Sequence, residues 1–191
     1  MRYSSLPIAV KAIIVIFFGF ALFAPLPFVV VMPGGATDVL DKVISIKSEN
    51  AYKPSGSLYL LAIRVTSPGA SMFSGEIVYG WVNGNSRIYP RSAVYPDNVS
   101  SKVLDKEAKV DMTSSQDKAK IVARAYVKKN YPELESVDPS LITLDVKNTG
   151  GPSGGLIFAL GLAELLTPEN ILQGRKIAAT GTISAQGKVG P

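Results

Sequence analysis

The chain has 191 residues, 47% of them hydrophobic, a net charge of +5, and neither cysteine nor histidine. Without cysteine it can hold no disulfide, thiolate metal site or thiol nucleophile, and without histidine it lacks the usual base near neutral pH and the commonest metal ligand. Ser–His–Asp and Cys–His enzymes are thereby excluded within this chain, and the scattered Lys and Arg residues, which form no basic run, argue against nucleic acid as a partner.

Residues 12–32 (AIIVIFFGFALFAPLPFVVVM) carry no charge and have about the length that a helix needs to cross a bilayer. Arg2 and Lys11 precede this block, and Asp38, Asp41 and Glu49 follow it. The positive-inside preference then predicts a single-pass membrane protein with a cytoplasmic N-terminus and an extracytoplasmic remainder. A cleaved signal peptide fits less well, because the block exceeds the usual apolar core of such peptides and Ala21–Ala24 has the wrong spacing for cleavage. Pro25 and Pro27 should bend or end the helix.

Residues 33–96 change to short apolar runs cut by turn residues. Residues 57–65 (SLYLLAIRV) read as a strand that stops at Ser67–Pro68–Gly69. Residues 76–82 (EIVYGWV) read as another strand before the favoured hairpin turn at Asn83–Gly84. Trp81 and the neighbouring tyrosines fit a core or sheet face better than a ligand site. Residues 112–129 predict an amphipathic helix, with Ala119, Val122, Ala123, Tyr126 and Val127 at helical spacing and Thr113 or Ser114 as its cap. A short strand at 141–146, a glycine-rich loop at 150–155, an apolar helix at 156–166 and a strand at 176–179 follow. A turn at Gln186–Gly187 comes next.

The loop Gly150–Gly151–Pro152–Ser153–Gly154–Gly155 lies between a strand and a helix, which sets Ser153 beside the helix N-terminus. Unpaired amides and the positive end of the helix dipole favour an anion there, and glycine lets backbone approach a ligand closely. An oxyanion hole and a phosphate loop both need these properties. The literal G-x-S-x-G match requires a histidine that the chain lacks. A Walker loop requires Gly-Lys-Ser/Thr, but Gly155 is followed by Leu156, and the dinucleotide fingerprint also fails on spacing. Two readings remain: a serine activated by a neutral lysine, and a tight turn in which Ser153 only caps the helix.

GGPSGGLIFALGL, RKIAATGTI and QGKVGP, spread over residues 145–191, resemble the proteolytic domain of Lon-type serine–lysine peptidases. The resemblance is strongest to a bacterial membrane-anchored branch that also carries a PDZ domain, and SLYLLAIRVTSPGA and MTSSQDKAKIVARAYV extend it upstream. It implies Ser153 as nucleophile, Gly151, Pro152 and Gly154 as the loop that shapes the oxyanion site, and Thr180 as a support for the lysine amine. It implies no metal and no cofactor. Unfolded or membrane-proximal proteins and peptides are the implied substrates, the membrane is contacted through residues 12–32, and homo-oligomers are common among relatives.

In that family the lysine follows the closing glycine-rich motif, and this sequence stops inside it, at Pro191. Lys147, Lys176 and Lys188 are poor replacements, since exposed lysines are weak bases near neutral pH. Residues 130–140 leave no room for a PDZ module, and no Walker motif marks an ATPase. The expected architecture is mixed α/β (α+β). Residues 1–34 form a cytoplasmic tip and transmembrane helix, 35–105 a small extracytoplasmic β-rich region, and 106–191 an incomplete Lon-type proteolytic domain. The expected function is a Ser–Lys endopeptidase without an ATPase module, inactive as this chain. The alternative is a non-catalytic membrane-anchored binding or assembly protein, including the remnant of a split gene.

Overall fold

The computed structural model describes residues 6–48, 51–96, 99–134, 137–147 and 149–190. Arg2, Glu49 and Pro191, which entered the sequence reading, lie outside the described residues. The chain is mixed α+β and forms two compact units, neither continuous in sequence: residues 1–33 with 63–101, and residues 34–62 with 102–191.

In the first unit, helix α1 (Ile8–Phe23) ends at Ala24, whose extended φ of −63° and ψ of 126° are what a following proline favours. Strand β1 (Pro25–Leu26) then pairs antiparallel with β5 (Met72–Phe73). The start of β2 (Phe28–Asp38) pairs antiparallel with β6 (Arg87–Pro90). The apolar block at 12–32 is therefore not one helix. α1 has 16 residues, a length of about 24 Å against the roughly 30 Å of a bilayer core. No helix among the described residues is long and apolar enough to cross a membrane. Most of the rest of the block is strand, with Val29 and Val30 buried in it. These findings overturn the N-terminal transmembrane helix and the single-pass membrane localisation.

A second departure from expectation is α3 (Ser74–Val82), a helix where the sequence predicts a strand. The Glu76 carboxylate accepts the Phe73 amide at 2.9 Å, which satisfies one of the free donors at the start of a helix. Strand propensity depends on context, and the isoleucine, valine, tyrosine and tryptophan of this segment do not outweigh that start. Beyond β6, α4 (Arg91–Val94) places the Arg91 guanidinium so that it donates to the carbonyls of Pro68 and Ala70. It thereby fastens the turn at residues 67–69.

The second unit contains the glycine-rich loop. The first residues of β4 (Ser57–Val65) run parallel to β8 (Lys176–Ala179). After the short helix α2 (Val39–Lys42), β3 (Ile44–Ile46) pairs antiparallel with β7 (Ile142–Leu144). Strands β9 (Thr182–Ile183) and β10 (Val189–Gly190) pair around a turn in which Gly187 has a φ of +80°. Two helices complete the unit. α5 (Ser101–Asn130) buries Met112, Ser115, Ala119, Ala123 and Val127, a stripe at three- and four-residue intervals. It starts well before residue 112, because residues 102–111 are rich in helix-forming Lys, Leu, Glu and Ala without an apolar stripe that periodicity could detect. α6 (Gly155–Leu166) is buried along most of its length, and its Ile157, Phe158 and Leu162 pack in one core with Val39, Leu58 and the α5 stripe.

Candidate functional site

The loop at 150–155 is held from two sides. On one side is α5: the Gly151 amide donates to the Ala108 carbonyl at 2.8 Å. A Cβ placed on Gly150 would come 2.8 Å from the Ala108 Cβ, so helix and loop backbone are in direct contact. On the other side is the link from β8 to β9. The Ser153 carbonyl accepts from the Gly181 amide at 2.7 Å and from the Thr180 hydroxyl at 3.3 Å. The Gly181 carbonyl in turn accepts from the Leu156 amide at 3.1 Å. Residues 153–156 and 180–181 therefore form a clasp across the N-terminus of α6.

Within this clasp, Ser153 is half-buried and Pro152 is exposed, with the Pro152 carbonyl accepting from the Gly155 amide. Gly151 adopts a φ of +92°, a backbone geometry that glycine enters without strain. Gly154 is buried against Phe158, and a Cβ there would lie 2.5 Å from the Phe158 ring. That ring is fully buried and has no room to retreat. The chain thus turns tightly enough to bring Ser153 to the start of a twelve-residue helix, where the helix dipole favours developing negative charge.

The structure brings Ser153, Gly151, Pro152, Gly154 and Thr180 together at one end of α6. The Thr180 hydroxyl is engaged with the Ser153 carbonyl. Lys147, Lys176 and Lys188 are all exposed. Among the described residues no group of three or more acidic side chains is placed to hold a metal ion.

Three features were missed by sequence reasoning. Ser115, on the buried face of α5, is 3% exposed, and its hydroxyl has no hydrogen-bond partner among the described residues. It lies close to Gly155, whose Cβ would be 3.1 Å from the Ser115 Oγ. Glu164 is a buried carboxylate that accepts the amides of Ile171 at 2.9 Å, Leu172 at 3.2 Å and Ser55 at 3.4 Å. A lone acid inside an apolar helix was the available signal for it. The third feature is a cleft of about 620 Å³ between α5 and residues 144–146 and 149–150. No pattern in the sequence announces it, because its two walls are far apart along the chain.

No family model, curated protein or solved structure matches this chain.

Proposed function

We propose that this chain carries the nucleophile and oxyanion part of a Lon-type serine–lysine peptidase. The observation that carries the reading is the clasp that fixes Ser153 at the N-terminus of α6. In the reaction a neutral lysine amine accepts the Ser153 hydroxyl proton while the oxygen bonds to a peptide carbonyl carbon. The carbonyl oxygen becomes an oxyanion facing backbone amides at the helix start. The tetrahedral species then collapses, and the departing amine takes the proton back from the lysine. Water, deprotonated by the same lysine, hydrolyses the acyl-enzyme and frees Ser153.

The histidine-free composition supports lysine as the base. A peptide boronate tests the nucleophile separately from turnover. The Ser153 oxygen adds to boron, its proton passes to solvent, and the tetrahedral anion sits where the oxyanion would form. Boron NMR and titration calorimetry should show this adduct in the native chain and not in Ser153→Ala. The same spectrum from both proteins would overturn the reading. An unstructured protein substrate should be cut equally slowly by both, and cleavage lost only in the alanine variant would instead assign the base to this chain.

A further inference from the structure

The cleft lined by Gly150, three residues from Ser153 in the chain, has no role so far. Met112 and Leu144, both buried, line its floor, and Val146 adds a half-buried apolar surface. Asp105 on α5 and Asp145, which follows β7, are exposed and line the cleft. Among the described residues neither carboxylate is engaged in an ion pair or side-chain hydrogen bond. Among the described residues Lys109 is the one cation lining the cleft, so those residues bring two negative charges against one positive. An apolar floor beneath carboxylates fits a side chain with a long methylene stem and a cationic tip, since lysine and arginine bury their stems and keep their charges in polar surroundings. Shape and charge therefore point to the same class of ligand.

We propose that this cleft is a side-chain subsite for a basic residue of an extended peptide whose scissile carbonyl lies at Ser153. This rests on the peptidase reading and names its substrate class. The stem packs on Met112, Leu144 and Val146, the ammonium or guanidinium meets Asp105 and Asp145, and Lys109 disfavours an acidic residue.

The test uses the native chain and a set of short peptide boronates in which lysine, norleucine or glutamate occupies each of three positions before boron. Norleucine keeps the stem of lysine and lacks its charge. At one position lysine should bind about tenfold more tightly than norleucine, with glutamate weakest. Asp105→Asn and Asp145→Asn should each shrink the ratio of lysine to norleucine affinity, and Lys109→Gln should enlarge it. Rising salt should erode the preference in the native chain. Equal binding of lysine and norleucine at every position, with the Ser153-dependent adduct intact, would overturn the subsite and leave the peptidase reading standing. Absence of any Ser153-dependent adduct removes both. Circular dichroism of the variants separates lost recognition from lost folding.

Discussion

The Gly151 amide and the Ala108 carbonyl lie 2.8 Å apart, so a residue in the first third of α5 accepts a hydrogen bond from the loop that carries Ser153. The neighbouring Gly150 is in contact with the same turn of helix, and a Cβ there would meet Ala108 Cβ at 2.8 Å and its carbonyl at 3.3 Å. These are atoms of a packed helix and cannot swing aside. Gly150→Ala should therefore lower stability by about 1–3 kcal/mol in urea denaturation, the usual cost of overpacking. It should also weaken boronate binding, because the loop must move off α5. Gly35→Ala has no atom within 4 Å of the new Cβ and serves as the control. It should stay within about 0.5 kcal/mol of the parent chain.

The elements around this loop were the most legible part of the sequence. The helix at 156–166, the strand at 176–179 and the turn at 186–187 were predicted and are present, because each combines a clean apolar run with a glycine or proline boundary. The strand at 57–65 was equally clear, being β-branched and aliphatic up to a Ser–Pro–Gly turn. Failures occurred where an apolar run did not reveal its partner. Residues 76–82 became helix α3 through the bond from the Phe73 amide to Glu76, a cap that strand propensity ignores. The block at 12–32 divides into α1, β1 and β2, since Pro25 and Pro27 stop the helix and Val29 and Val30 find a strand neighbour in β6. Loop position could be read from glycine spacing. Its support by Ala108 and Ser115 could not, because contacts between distant segments leave no local pattern.

Glu164 is a further support of the second unit. Its carboxylate takes amides from residues 171 and 172, and from Ser55 on a separate segment, so one buried side chain ties two loops to α6. Hydrogen bonds to a charged acceptor contribute about 1.5–3 kcal/mol each, and losing the acceptor strands buried donors. Glu164→Ala should cost about 3 kcal/mol or more by denaturant titration. Limited proteolysis should then find new cleavage within residues 167–175 before global unfolding. Glu164→Gln retains one acceptor oxygen and should lose roughly half as much.

Tyr126 and Tyr131 both donate to the Glu169 carboxylate, at 2.5 and 3.1 Å. The hydrogen bond to Glu169, with lesser contributions from desolvation and the carboxylate charge, pushes the Tyr126 phenol up to about 12. Tyr131 is also raised, by desolvation first and by Glu169 second. Folding raises the Tyr126 pKa, so its contribution to stability is complete below the ordinary phenol value near 10. That contribution is lost as pH rises through about 12. A difference absorbance titration between the native chain and Tyr126→Phe should place the Tyr126 midpoint near 12. In Glu169→Gln the midpoint should fall back toward about 10, and the alkaline loss of stability assigned to this residue should shrink with it.

Gly155, at the start of α6, lies against Ser115 of α5. A Cβ on Gly155 would come 2.9 Å from Ile183 Cγ2 and 3.1 Å from both the Ile183 amide nitrogen and the Ser115 Oγ. Gly155→Ala should therefore destabilise the second unit by about 1–3 kcal/mol. Ser115→Ala should behave in the opposite way. Its hydroxyl is buried without a partner, so removing it deletes a desolvated group and should leave stability unchanged or raise it by up to about 1 kcal/mol. The two changes share one contact, so they should not add. With Ser115 already alanine, Gly155→Ala loses one of its collisions and should cost about 0.5 kcal/mol less than in the native background. A double-mutant cycle by urea denaturation measures this coupling directly. Strict additivity would place the strain of Gly155→Ala wholly at Ile183.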